Sequence, residues 1–236
     1  MPGEVINFPI SNSNSKTHIE GKLVIPENPI GIVIFAHGSG STKNSHRNQL
    51  VSKKLSNKHV ATLLFDLLSV EEQMYDTKLE KMDVKVPGAI LNKFNILLLT
   101  KRLVMVTEWV GNNPSTEKLP LGYFASSTGA AAALISASRY NIVSIVIRSG
   151  RTDLVENRFL DKIVSPCLFV VGGKEKLLIK VGNETLRKLN NSREKKLKII
   201  KGASHLFEER GSMEEVSDIA TQWIVQNFML ASSSAL

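Results

Sequence analysis

The sequence predicts an α/β fold, in which helices cover both faces of a mostly parallel central sheet and form a three-layer sandwich. Short apolar runs rich in β-branched residues alternate with longer amphipathic stretches, a pattern typical of βαβ units. One of these runs, Gly31–Ala36 (GIVIFA), is apolar at every position, as are central strands buried on both faces. With 236 residues, 42% of them hydrophobic, the chain is expected to form one domain over residues 1–236.

The elements can be assigned in order along the chain. An antiparallel pair is expected first, over Val5–Ile10 and His18–Ile25. The later predicted strands are Gly31–Ala36, Val60–Phe65, Leu119–Phe124, Ile142–Ile147, Cys167–Val171 and Lys196–Ile200. The predicted helices are Ser45–Asn57, Asn92–Val110, Thr128–Arg139, Leu178–Leu189 and Met213–Met229, with 231–236 as a frayed tail. Residues 67–92 show no clear periodicity, and this stretch is too short for a large lid.

Composition limits the classes of partner. The net charge is +8, but the densest basic stretch, residues 193–198, has no aromatic residue to stack on bases, so no specific nucleic-acid partner is expected. No apolar run approaches the ~18 residues of a membrane span, so no membrane partner is expected either. The single cysteine excludes an intrachain disulfide, and residues 1–16 lack the pattern of a secretory signal. A cytoplasmic location is the expectation.

The segment Ala125-Ser126-Ser127-Thr128-Gly129 joins a predicted strand directly to an Ala-rich helix. Small residues two positions before and after a serine permit the sharp turn that lifts a nucleophilic hydroxyl above a sheet. This spacing selects Ser127, because centring the motif on Ser126 would put Phe124 in a small position. The turn would also aim the Thr128 N–H at an oxyanion. An ordinary helix N-cap is the alternative interpretation of the same serines.

A glycine-containing loop follows the strand Gly31–Ala36. Its sequence, His37-Gly38-Ser39-Gly40-Ser41, is suited to offer a second oxyanion N–H, from Ser39 or Gly40. His37 is a candidate substrate contact, although a role in holding the loop suits it better.

Two later strand ends carry the other groups that a serine nucleophile needs. His205 follows the last predicted strand and is the candidate general base, since histidine titrates near neutral pH. Glu175 and Asp153 each follow a strand, and both remain candidates for the acid that orients His205.

The order nucleophile, acid, histidine, each after a strand, is that of α/β-hydrolases. The segments IVIFAHGSGST, LGYFASSTGAAAAL, FVVGGKE and GASHLFEE resemble the dienelactone-hydrolase-like branch of this superfamily, and the similarity covers about residues 31–228. The resemblance implies a Ser127, Glu175, His205 triad with no metal and no organic cofactor. Dienelactone hydrolases themselves use a cysteine nucleophile, so serine at position 127 is a departure. Cys167 lies within a predicted strand and is expected to be a buried apolar residue.

These features together predict hydrolysis of a carboxylic ester, or a similar acyl bond, in a small molecule. Arg148 and Arg151 flank the end of one strand and suit an anionic group on the substrate, although pairing of these arginines with Asp153 or Glu156 is an equal alternative. Activity should rise as a histidine base loses its proton, near the ordinary value of about 6.5. Acyl transfer by the same triad and a non-catalytic binding protein are the alternatives. The sequence does not predict an oligomeric state.

Overall fold

The computed structural model describes residues 3–10, 17–81 and 90–233. Its strands are β1 Glu4–Pro9, β2 His18–Val24, β3 Gly31–Ala36, β4 Val60–Phe65, β5 Leu121–Ser126, β6 Ser144–Arg148, β7 Cys167–Gly172 and β8 Lys195–Ile200. They form one sheet in the order β1-β2-β4-β3-β5-β6-β7-β8. β2 pairs antiparallel with both β1 and β4, and the remaining neighbours, from β4 through β3 to β8, pair in parallel. The predicted fold class is confirmed.

Helices cover both faces of the sheet. They are α1 His46–Ser56, α2 Val70–Lys81, α3 Ile96–Asn112, α4 Thr128–Ala137, α5 Asn157–Leu160, α6 Lys176–Lys188 and α7 Ser212–Ser233. Alternate residues of β3 show the two faces. Ile32 and Ile34 belong to the core beneath α3 and α4, while Val33 and Phe35 belong to the core beneath α1 and α7. The run GIVIFA is apolar throughout because both of its faces are buried.

Two helices were not predicted. α2 lies in the stretch 67–92 that shows no periodicity, and Asp76 is its buried residue, so it has no apolar stripe to read in the sequence. The other, α5, is a single turn. The predicted frayed tail is wrong at its start, because α7 continues to Ser233, and the remainder of that tail lies outside the described residues. In the same way, 82–89 of the unassigned stretch lie outside them.

The parallel strands bring their carboxyl ends to one edge of the sheet, and the loops after β3, β5, β6, β7 and β8 meet there. All the candidate catalytic residues lie on these loops. Within the three described ranges, no helix has the length and apolarity that crossing a membrane requires.

Candidate active site

Ser127 occupies a strained turn between β5 and α4. Its φ of 48° and ψ of −124° are rare for a residue with a side chain and cost about 1–3 kcal/mol. Ser127 is partly exposed, while Ser126 and Thr128 on either side are only 5% and 2% exposed. An ordinary N-cap would need neither the strain nor the exposure, and the Ser127 side chain makes no capping hydrogen bond in α4. We call this sharp strand-to-helix turn, which is centred on Ser127, the elbow.

Close backbone contacts hold this elbow in place. The Ser127 carbonyl accepts a hydrogen bond from the Arg151 N–H at 3.0 Å. A Cβ added to Gly129 would lie 2.3 Å from the Ala36 carbonyl oxygen, so glycine lets the start of α4 pack directly against the end of β3. A Cβ on Gly38 would lie 2.6 Å from the Ser127 Cβ. The glycines in both motifs therefore serve close packing of the elbow on the loop after β3.

The loop after β3 is linked to the elbow by a hydrogen bond. The Ser39 N–H donates to Thr128 Oγ1 at 3.1 Å, so the loop predicted to supply an oxyanion donor lies next to the start of α4. In this state the Ser39 N–H is engaged by the Thr128 hydroxyl. Gly40 has a φ of 72°, which a residue without a side chain adopts easily.

His37 holds that loop through hydrogen bonds to the backbone. It is 7% exposed, its Nδ1 donates to the Gly38 carbonyl at 2.9 Å and its Nε2 accepts the Leu67 N–H at 3.0 Å. Burial lowers the pKa of His37, which keeps the ring neutral and suits this pair of bonds. Both ring nitrogens are thus bonded to backbone groups, and the candidate role of His37 in substrate binding stays a prediction.

The structure brings His205 to Glu175 and not to Asp153. Nδ1 of His205 lies 3.1 Å from Oε2 of Glu175. A Cβ on Gly172 would come within 2.5 Å of the Ser204 carbonyl, so a glycine at the end of β7 lets the histidine loop approach. Asp153 instead receives hydrogen bonds from Nε and a terminal nitrogen of Arg151, and these bonds lower its pKa.

A second carboxylate, that of Glu209, binds the histidine loop at the residue before His205. Glu209 accepts the Ser204 N–H at 3.0 Å and is paired with Lys174 at 2.8 Å. The hydrogen bond from Lys174 is the main reason that the pKa of Glu209 falls to about 2. Glu209 was not predicted from the sequence, although it lies five residues after Ser204, at the end of the segment GASHLFEE.

Ser127 and His205 open onto a common cleft of about 300 Å³, together with the loop Gly38–Ser41. Arg148 lines this cleft, as predicted, and is joined there by Arg47 of α1. Arg151 does not line it. Its side chain is 45% exposed and paired with Asp153, and its candidate role in substrate binding stays a prediction.

Cys167 is fully buried in β7 and donates to the Ser165 carbonyl at 3.3 Å. Burial raises the pKa of this thiol to about 12. It is therefore neither near the elbow nor ionised. The described residues bring together no group of three or more His, Cys, Asp or Glu side chains that could hold a metal ion.

Comparison with curated proteins finds relatives that are much longer than this chain. Two Mycobacterium tuberculosis proteins, each named "Putative phosphoribosyl transferase", are 39% identical over 211 residues. The match covers 89% of this chain but only 44% of the relatives, so the chain spans less than half of their length. No protein-family model matches the chain.

Comparison with solved structures finds a close relative along the full length. A dienelactone hydrolase from Anabaena variabilis is 36% identical, with a TM-score of 0.82 over 96% of this chain and 99% of its own. An α/β serine hydrolase without a lid, from Xanthomonas campestris, shares the fold at 12% identity, with a TM-score of 0.70 over 95% of this chain and 94% of its own. Because the Anabaena protein matches in sequence as well as in fold over nearly all of both chains, this chain belongs to the dienelactone-hydrolase-like family of α/β-hydrolases.

Proposed function

We propose that the chain is a serine hydrolase that cleaves a carboxylic ester of a small molecule through Ser127, His205 and Glu175. The observation that carries the proposal is the 3.1 Å contact between His205 Nδ1 and Glu175 Oε2, on a histidine that shares a cleft with the strained Ser127. Nucleophile, base and orienting acid, each on a strand end, are the parts that acyl chemistry requires.

In the proposed reaction, Ser127 Oγ attacks the acyl carbon and His205 Nε2 takes its proton. Glu175 accepts the Nδ1–H, which sets the tautomer that leaves Nε2 free as a base. The same proton then passes to the leaving alcohol, and a serine acyl-enzyme remains. Water, deprotonated by His205, attacks that ester and releases the acid. The charge on the carbonyl oxygen is stabilised by the Thr128 N–H at the start of α4 and by the loop containing Ser39 and Gly40, each donor contributing about 10²–10³ in rate.

Exposure of the base favours hydrolysis over acyl transfer to another acceptor. The side chain of His205 is 38% exposed and that of Glu175 is 28% exposed, so water has direct access to the base. Acyl transfer would require a site that protects the acyl-enzyme from this water.

The name of the curated relatives raises phosphoribosyl transfer as another activity. Those proteins are more than twice as long as the matched segment, and the residues around Ser127 support acyl chemistry. We therefore propose ester hydrolysis for this chain.

A serine-directed fluorophosphonate tests the proposal. We expect one adduct, mapped by peptide mass spectrometry to Ser127, and parallel loss of activity on p-nitrophenyl acetate. Ser127→Ala should remove both, whereas Ser126→Ala, which changes the buried neighbour, should retain the adduct. An adduct on Ser126, or an active protein that the reagent does not label, would contradict the proposal.

A further inference from the structure

Arg148 carries a charge inside the protein beside the elbow. It pairs in register with Ser126, and its carbonyl accepts the Ser127 N–H at 3.4 Å, so its backbone adjoins the nucleophile. The residue is 5% exposed, and its Nε is buried without a hydrogen-bond partner among the described residues. The centre of the Phe207 ring lies 5.8 Å from the guanidinium carbon. A buried arginine usually has an anionic partner, and the described residues provide none for Arg148.

Arg47 brings a second positive charge to the same cleft. It lies in the first turn of α1, and its Nε is also buried without a partner within the described ranges. After burial itself, the charge of Arg47 is the cause that lowers the pKa of Arg148, to about 10. No Asp or Glu is among the described residues that line the cleft. Two like charges therefore face one small space, and no carboxylate among its described lining residues offsets them.

For comparison, Arg102 and Arg158 are each paired with a carboxylate. Arg102, whose side chain is 14% exposed, lies 2.8 Å from a carboxylate oxygen of Glu72. Arg158 is paired with Glu156 at 2.9 Å. Burial alone therefore does not leave an arginine unpaired in this fold, and the two cleft arginines differ from these in facing the site of Ser127.

We infer that Arg47 and Arg148 form a subsite for a doubly charged anionic group of the substrate, chemically a phosphate monoester. A phosphate monoester carries about −1.5 to −2 charges at pH 7, which matches two guanidinium groups, whereas a single carboxylate offsets only one. Planar guanidinium groups also match the spacing of phosphate oxygens. The Ser149 hydroxyl, on a third cleft-lining residue, is buried without a partner in the described structure and adds a donor.

This inference rests on the proposed ester hydrolysis and names its substrate class. The phosphate group is bound and stays intact, and the bond that breaks is the carboxylic ester at Ser127. The substrate is thus a small phosphorylated alcohol or acid that carries an acyl ester within reach of the cleft.

Three matched acetate esters test the inference: ethyl acetate, 3-acetoxypropanoate and 2-acetoxyethyl phosphate, assayed at constant ionic strength. We expect kcat/KM to be at least about tenfold higher for the phosphate ester than for the neutral ester, with the carboxylate ester between them. Arg148→Gln and Arg47→Gln should each remove most of this preference while ethyl acetate is still hydrolysed. Arg158→Gln, an exposed and paired arginine, is the matched control and should keep the preference.

Binding provides a readout that does not depend on turnover. Inorganic phosphate should bind Ser127→Ala in calorimetry, and its affinity should fall at least about tenfold when Arg47→Gln, on the partly exposed helix face, is added. Equal kcat/KM for the carboxylate and phosphate esters would overturn the phosphate assignment, and no preference for either anion would overturn the subsite. If ethyl acetate is still hydrolysed in a Ser127-dependent way, those failures leave the proposed function intact. Absence of any esterase activity together with phosphate binding would instead reject the hydrolase and retain the subsite.

Discussion

The α-carbon of Gly38 lies so close to Ser127 that a Cβ at residue 38 would come within 2.6 Å of the Ser127 Cβ. Real Cβ atoms do not approach to that distance, so any side chain at 38 must displace either Ser127 or the loop after β3. The position of Ser127 is thus determined by a residue 89 positions earlier in the chain, on a different strand end.

Gly38→Ala should therefore lower kcat by at least about 100-fold, because an ångström-scale misplacement of a reacting group has costs of that order. The measurement is kcat on p-nitrophenyl acetate, with circular dichroism to verify folding. Gly111→Ala is the control, since a Cβ there meets nothing within 4 Å in helix α3. It should leave kcat unchanged and raise stability by up to about 1 kcal/mol. Normal activity in folded Gly38→Ala would show that the elbow tolerates the shift.

Glu175→Gln should lower kcat by about 10²–10⁴ with little change in KM. The charge beside the histidine stabilises the imidazolium that forms in the transition state, and glutamine can bind Nδ1 in the wrong tautomer. The paired measurement is Asp153→Asn, which breaks the contact with Arg151 and should leave kcat within about twofold. A collapse of kcat at Asp153 with a small loss at Glu175 would move the acid to the loop after β6.

Glu209→Gln should lower kcat by about tenfold, because loss of the charge weakens the bond from the Ser204 N–H, which fixes the residue before His205, and removes the ion pair with Lys174. Glu209 acts through the loop, so it is a positioning residue. The lowered kcat of the variant should therefore persist at raised substrate concentration and at raised viscosity. Glu208→Gln, on its exposed neighbour, is the matched control and should have no effect. An effect on the melting temperature without an effect on kcat would assign Glu209 to stability alone.

The stability of the fold should fall as the pH drops below about 6.5, in part because of His37. The pKa of this residue is lowered in the folded protein, so between the unfolded value of about 6.5 and the lower folded value the unfolded chain binds more protons. Stability contributed by neutral His37 is therefore complete above that window and is lost on acidification. His37→Gln keeps an acceptor for the Leu67 N–H but cannot titrate, so its melting temperature should fall less steeply from pH 7 to 5 than that of the wild type.

The exposed His46 provides the control for this comparison. His46→Gln should leave the slope of the wild type unchanged. Parallel curves for wild type and His37→Gln would show that His37 does not contribute to acid sensitivity.

Much of this fold can be predicted from the sequence because the central strands are buried on both faces. β3 and β4 were predicted to the residue, since each is an apolar run bounded by polar residues. α2 was missed for the opposite reason: it is largely exposed, and its buried Asp76 serves to accept the N–H groups of Asn92 and Lys93. Hydrophobic periodicity in a sequence arises where a helix buries apolar surface, and α2 buries almost no apolar surface.

Only some residues of the candidate site could be predicted from the sequence. The elbow and the histidine loop have local signatures, so Ser127 and His205 could be proposed from spacing. The choice between Glu175 and Asp153 depended on where Arg151 points, which spacing does not determine. Likewise, Arg47 in α1 and Arg148 in β6 are 101 residues apart, and only the sheet order brings them into one cleft.

Because Cys167 is buried, its thiol should not interfere with the labelling of cysteines introduced elsewhere in the protein. It is the sole cysteine of the chain, and a thiol with a pKa of about 12 inside β7 should not react with a maleimide or with a disulfide reagent at neutral pH. A titration of native protein should detect no reactive thiol, and one after denaturation. A cysteine introduced on an exposed residue of α2, such as Met74 or Tyr75, would then accept a spectroscopic label at that position alone. Movements of this helix during turnover could be followed without first removing a native cysteine.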